Sequence, residues 1–130
     1  NKKYTRVSIF MNAFNCHVNR VPSSGKITQI LHKPGKYINA SLDKASEDNE
    51  RNYVKMTNSN GDELILVQIA GLIARRIVCE VKENEETKQG DKFGMIRFGS
   101  RVDLYFGNYQ IMVRQNQQTT GGETIIARKK

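Results

Sequence analysis

The chain has 130 residues, 38% of them hydrophobic, and 21 Lys and Arg stand against 13 Asp and Glu, a formal net charge of +8. That length suits one domain with a real core; no apolar run is long enough to span a membrane and no signal-peptide pattern opens the chain. The two cysteines, Cys16 and Cys79, point to free thiols in a reducing compartment, and the positive surplus favours nucleic acid, acidic lipid headgroups or phosphorylated metabolites as partners.

The chain opens Asn1-Lys2-Lys3-Tyr4 without an initiator Met, which reads as a fragment or a processed piece. Residues 7–11 form a short apolar run. Val21-Pro22-Ser23-Ser24-Gly25 punctuates, and residues 26–32 alternate as a strand, with Ile27 and Leu31 on one side and Ile30 on the other. Pro34-Gly35-Lys36 makes a turn. Residues 43–52 are polar, lack β-branched side chains and read as a loop. Residues 53–56 and 63–69 read as strands joined by the turn Asn58-Ser59-Asn60-Gly61-Asp62. The main apolar segment, 64–79, is broken by Gly71 and Arg75-Arg76, so it fits a buried strand with a turn or short helix as well as one helix. Residues 80–89 are a charged connector. Strands at 95–98 and 101–106 flank Gly99, and two more follow at 109–113 and 124–127. Many short strands with glycine-rich turns predict a mostly β barrel or sandwich with few short helices.

Four places could carry chemistry. Gly99-Ser100 puts a hydroxyl one residue beyond a sterically open carbonyl. An activated serine attacking that carbonyl converts the amide to an ester. β-Elimination then cuts the chain, and hydrolysis leaves an N-terminal pyruvoyl group and ammonia. Taken alone, the dipeptide more often marks a plain bend or bulge. His17, in Phe14-Asn15-Cys16-His17-Val18-Asn19-Arg20, is suited to proton transfer near neutral pH, or else is a hydrogen-bonded, partly buried ring. Arg75 and Arg76 sit in an apolar run, where they bind a phosphate or pair with an acidic loop such as Asn49-Glu50-Arg51-Asn52. Asp43-Lys44-Ala45 matches the core of lipoyl-attachment sites but lacks the expected hairpin. No Walker, dinucleotide-binding or zinc spacing occurs, and no metal is expected.

In order and spacing the chain resembles the phosphatidylserine decarboxylase family, most of all its short bacterial and archaeal branch. The resembling stretches include Val7-Ser8-Ile9-Phe10-Met11, the His17 segment, Lys36-Tyr37-Ile38-Asn39-Ala40-Ser41-Leu42-Asp43-Lys44-Ala45-Ser46, Asn49-Glu50-Arg51-Asn52 and Gln68-Ile69-Ala70-Gly71-Leu72-Ile73-Ala74-Arg75-Arg76. Gly94-Met95-Ile96-Arg97-Phe98-Gly99-Ser100-Arg101-Val102-Asp103 and Gly121-Gly122-Glu123-Thr124 complete them. The resemblance implies one decarboxylase domain over residues 1–130 that cleaves itself between Gly99 and Ser100. Residues 1–99 become the β chain and residues 100–130 the α chain, with Ser100 converted to a covalent pyruvoyl cofactor. It implies His17 as acid and base, and phosphatidylserine in a membrane as substrate, decarboxylated to phosphatidylethanolamine and CO2. Arg20, Arg75, Arg76 and Arg101 are candidates for the headgroup phosphate. The expected setting is peripheral, on the cytoplasmic face of the cell membrane, without nucleic acid and with a homo-oligomer admitted.

Three features depart from the family pattern. The Ser-Pro-Ala-Asp-Gly type motif that supplies a processing Asp does not precede Val7. Arg20 stands where longer relatives carry a second histidine, and Gly107 where proline is frequent. Segments 22–27 and 121–127 are similar to the biotinyl/lipoyl hybrid barrel, so a barrel-like sandwich of that type is the expected fold. The alternatives are a lipoyl- or biotinyl-like carrier using Lys44 and a basic OB-like nucleic-acid binder. The scattered aromatics argue against the second.

Overall fold

A computed structural model of the chain describes residues 4–11, 18–42, 44–72, 76–96, 100–107, 109–115, 117 and 125–129. Among them the strands are β1 (Thr5–Met11), β2 (Val18–Arg20), β3 (Gly25–Lys33), β4 (Arg51–Asn58), β5 (Glu63–Ile69), β6 (Val78–Cys79), β7 (Glu86–Thr87), β8 (Lys92–Met95), β9 (Ser100–Phe106), β10 (Tyr109–Ile111) and β11 (Ala127–Lys129). A single turn of helix, α1 (Ala45–Asp48), precedes β4. The protein is mostly β. The described strands form separate antiparallel sheets rather than a closed barrel: six strands in the order β1-β9-β5-β4-β3-β7, three in the order β2-β8-β6, and the pair β10-β11.

Alternation along the strands decides what each face of the large sheet buries. Val54 and Met56 of β4, Leu64 and Leu66 of β5, and Leu104 and Phe106 of β9 point to one face. There they pack with Phe93 of β8, Val21 and Val81, so the three-stranded sheet shares this core. On the other face Val67 and Ile69 pack with Ala45 of α1, with Ile38, Tyr53 and Tyr105 alongside. Strand β5 is therefore covered on both faces, which accounts for its nearly unbroken apolar sequence. Each fully buried side chain of this size contributes about 1.5–3 kcal/mol relative to exposure.

The β4–β5 hairpin follows its turn sequence. Asn58 Oδ1 accepts the backbone N–H groups of Asn60 and Asp62 at 3.1 and 2.9 Å. Gly61 takes φ +82°, a conformation that glycine adopts without a Cβ penalty.

Elsewhere the structure corrects the sequence reading. In β3, Ile27 pairs with Met56 and Gln29 with Lys55, leaving Thr28 as the extra residue of a bulge. The slip brings Ile30 opposite Val54, so Ile27 and Ile30 share one core and Leu31 is the exposed residue. Strict alternation had placed Ile27 with Leu31. Segment 43–52 is not simply a loop: it holds α1 and the first residues of β4. Asn49, fully buried, explains this polar exception. Its amide donates to the carbonyls of Ile38 and Ala70 at 2.8 and 2.7 Å, and its Oδ1 accepts the Ile38 N–H at 3.1 Å. Within the connector at 80–89, Glu86 and Thr87 add β7 to the large sheet through Gly25 and Lys26. Residues 97–98 of the expected strand at 95–98, and residue 124 of the last one, lie outside the described residues.

Candidate active site

Ser100 opens β9, an interior strand bonded to β1 on one side and β5 on the other. Its register partner is Met11, and the next residue, Arg101, pairs with Phe10 and Ile69. Ser100 is 1% exposed. The antiparallel order brings the last residues of β1 and β5 and the first residues of β4 to this end of the sheet.

Two polar systems flank Ser100, one on each face. Arg101 points away from the shared core and is almost fully buried. Its Nη2 donates to Asp103 Oδ2 at 3.2 Å, and its Nε lies 3.0 Å from Oδ1 in an ion pair that is not aligned for a hydrogen bond. Nη1 donates to the carbonyls of Ala40 and, at 3.4 Å, Leu42. The Phe10 ring lies against the guanidinium, 5.8 Å from its centroid to Cζ. Arg101 and Asp103 are two apart on one strand, so they share a face. Each neutralises a charge that would be costly to bury alone.

On Ser100's own face, two register positions along, Gln68 of β5 has no exposed surface. Its Nε2 donates to Asn19 Oδ1 and to the Val78 carbonyl, both at 3.0 Å. Its Oε1 accepts from Asn52 Nδ2, also at 3.0 Å. One side chain thus joins β4 and β5 of the large sheet to β2 and β6 of the small one. Gly94 of β8 leaves the room for it. A Cβ there would fall 2.4 Å from Gln68 Nε2 and 2.3 Å from the Val78 carbonyl oxygen.

The sequence profile described as phosphatidylserine decarboxylase matches residues 1–127. The chain belongs to the phosphatidylserine decarboxylase family. Among its relatives, the phosphatidylserine decarboxylase proenzyme of Pelagibacter ubique is 63% identical over 128 residues, covering 98% of this chain and 60% of that protein. The proenzymes of Rickettsia typhi and Rickettsia prowazekii are each 56% identical over 123 residues, covering 94% of this chain and 53% of theirs. The chain therefore spans somewhat more than half the length of these curated relatives.

Of the site residues expected here, Ser100, Arg20, Arg76 and Arg101 are among the described residues. His17, Arg75 and Gly99 lie outside the described residues, as does Cys16; β2 begins at Val18, the residue after His17. Arg20 is exposed, with Nη1 donating to the Gly90 carbonyl at 2.9 Å, and Arg76 is exposed. Arg101 is the opposite case, with its donors turned inward on Asp103 and two carbonyls. Lys44 is exposed and directly precedes α1, so it is not at the tip of a hairpin between matched strands, as a carrier lysine would be. His32 is half-exposed with its ring 3.2 Å from Glu50. Cys79 is a free thiol. Among the described residues no cluster of His, Cys, Asp and Glu could hold a metal, and no helix is long and apolar enough to cross a membrane. Sequence reasoning missed the Gln68–Asn19–Asn52 network and the role of Asp103. One signal was readable: an opposite charge two residues after Arg101 on a predicted strand.

Proposed function

We propose that this protein is a pyruvoyl-dependent decarboxylase that converts phosphatidylserine to phosphatidylethanolamine and CO2 after cutting its own chain between Gly99 and Ser100. The supporting observation is the position of Ser100, buried at the head of an interior strand, in a family whose relatives are named proenzymes. In cleavage the Ser100 Oγ attacks the Gly99 carbonyl carbon, and the peptide nitrogen becomes the free amine of residue 100. Elimination across Cα–Cβ of residue 100 then releases Gly99 as a carboxylate, and water displaces ammonia. His17 is the group proposed to accept the Oγ proton, and later to return a proton to the substrate carbon.

The surroundings of residue 100 suit a cofactor built from the chain. The β-ladders to β1 and β5 fix the backbone, and Arg101 is clamped from the opposite face, so a carbonyl made at this position would have a defined direction. Once formed, the pyruvoyl group would supply a ketone that condenses with an amine and takes up the electron pair left behind on the substrate carbon as CO2 departs. Arg20, Arg75 and Arg76 are the proposed donors to the headgroup phosphate. Arg101 holds residue 100 in place instead. The net charge of +8 draws the protein to an anionic membrane surface, in a peripheral association at the cytoplasmic face. We also read the two sheets over their shared core as the barrel-like sandwich of the biotinyl/lipoyl type.

Cutting at Gly99-Ser100 is not expected to separate the pieces. Strand β9 belongs to the C-terminal piece, yet it is bonded on both sides to strands of the N-terminal piece, through seven register pairs with β1 and five with β5. Tyr109 adds hydrogen bonds to Asn58 and Asp62 across the cut. The purified gene product should therefore elute as one species in native buffer. Under denaturing mass spectrometry it should give two pieces, one ending at Gly99 and one beginning with a pyruvoyl-blocked residue 100. The same sample should convert phosphatidylserine in mixed vesicles to phosphatidylethanolamine. An uncut chain with a lipoyl adduct at Lys44 would overturn the reading. His17→Ala should reduce turnover by about 100-fold or more, the scale of a lost general acid or base. Unchanged turnover on the same vesicles would remove His17 from the mechanism.

A further inference from the structure

We infer that Gln68 is a positioning residue for self-cleavage: its buried amide sets the strand that follows His17 against the strand that begins at Ser100. The inference rests on the reading of Ser100 as nucleophile and His17 as base, and it adds a residue outside that pair.

Three observations support it. First, both Nε2 protons and the Oε1 of Gln68 are used, on Asn19, Val78 and Asn52, so the amide is held in one orientation. A fully satisfied buried network of this kind specifies one arrangement of the elements it joins. Second, the hydrophobic cluster shared by the two sheets is built from side chains such as Val54, Met56, Leu66, Phe93 and Phe106. Apolar contacts are non-directional and tolerate sliding. Gln68 is thus a directional tie between the small sheet and the large one, at the end of the large sheet where Ser100 lies. Third, Gln68 is opposite Val102, two residues from Ser100 on the same face, a diagonal separation of roughly 7–8 Å. Its partner Asn19 is two residues after His17 in the chain. The hydrogen bond from Gln68 to Asn19 therefore ties the segment that follows the proposed base to β5, the strand paired with the nucleophile's own. Gly94 fits the same device, because a side chain there would displace the amide.

A leucine at position 68 would fill most of the same volume and remove the directional tie. The test is to follow precursor cleavage in the full-length gene product, across pH, for the parent, Gln68→Leu, Asn19→Ala and Ile27→Val. Ile27 lies in the same core but pairs with Met56, toward the other end of the sheet, so its truncation reports destabilisation alone. Gln68→Leu and Asn19→Ala are expected to cleave about 10- to 100-fold more slowly, the scale set by a small misplacement of reacting groups. Their rate–pH profile should also change shape, while Ile27→Val keeps the parental rate and profile. Asn19→Ala removes the acceptor on β2 while leaving Gln68 in place, and answers the question should Gln68→Leu not fold. Parental cleavage rates in both variants overturn the inference, as does a slowing matched by Ile27→Val with no change of profile. Ser100→Ala run alongside separates the two claims. If it is cut normally, the underlying reading falls. If it stays uncut while the Gln68 and Asn19 variants cleave normally, only the inference falls.

Discussion

Ser100→Ala is expected to yield a single uncut chain with no decarboxylase activity above background. The substitution removes only Oγ from a side chain that is 1% exposed at the start of β9. The methyl that remains fits the same space, and the ladders to Met11 and, through Arg101, to Ile69 are made by backbone groups that the change does not touch. Loss of the hydroxyl's own hydrogen bonding should cost about 1 kcal/mol, too little to unfold the domain. The chemical consequence is total by comparison. Without Oγ there is no acyl shift, so no ester forms and no elimination follows. The ketone on which the proposed decarboxylation depends would not be made, so no residual fraction of that covalent route should survive. Denaturing mass spectrometry, phosphatidylethanolamine formation and a thermal melt read the three consequences separately. A variant that is folded, uncut and inactive supports the assignment. One that is folded and cut normally removes Ser100 as the nucleophile.

How far the sequence carried depended on whether a feature is local. β5, with its apolar run from Leu64 to Ile69, and β9 after the Gly-Ser peptide were legible because strand periodicity is written into neighbouring residues. The turn at Asn58 to Asp62 was legible for the same reason, since it is built from its own side chain and backbone groups. The bulge at Thr28 was not: only its pairing with Met56 and Lys55 across the sheet reveals the slip. Segment 43–52 reads as a loop because it is polar and charged, Asn49 and Asn52 included, and lacks β-branched side chains. Both are buried, and they are satisfied by partners at positions 38, 70 and 68, which composition cannot show. The site divides in the same way. Ser100 stood out through its glycine neighbour, whereas the significance of Gln68 lies in contacts 49 residues back and 10 residues ahead. Arg101 is one of four candidates for the headgroup phosphate in the sequence, and its partners, Asp103 and the carbonyl of Ala40, lie on its own strand and 61 residues back.

That ion pair leads to the largest expected effect on stability. Asp103→Ala should destabilise the fold by about 3–5 kcal/mol, because it leaves the Arg101 guanidinium buried without its counter-charge. The Asp103 side chain has no exposed surface and that of Arg101 only 2%, so water cannot replace the lost carboxylate without opening the structure. A surface pair of the same geometry would cost at most about 1 kcal/mol. The two carbonyl acceptors, Ala40 and Leu42, would still hold Nη1, but Nε and Nη2 would lose the group they face. For a domain of this size the melting temperature should fall by on the order of 10 °C or more. Replacing both partners, Arg101→Met with Asp103→Leu, should recover part of that loss, because no buried charge remains; the two carbonyls that Arg101 served limit the recovery. Equilibrium denaturation of the two variants decides the matter. A single-variant loss below about 1 kcal/mol would mean that the pair is solvated rather than buried. A double variant less stable than Asp103→Ala would mean that the carbonyl contacts of Arg101 outweigh its charge. The same experiment bears on the chemistry, since Arg101 is the residue next to Ser100. A stable double variant that cleaves slowly would show that the clamp on residue 101 serves to aim residue 100, over and above holding the sheet together.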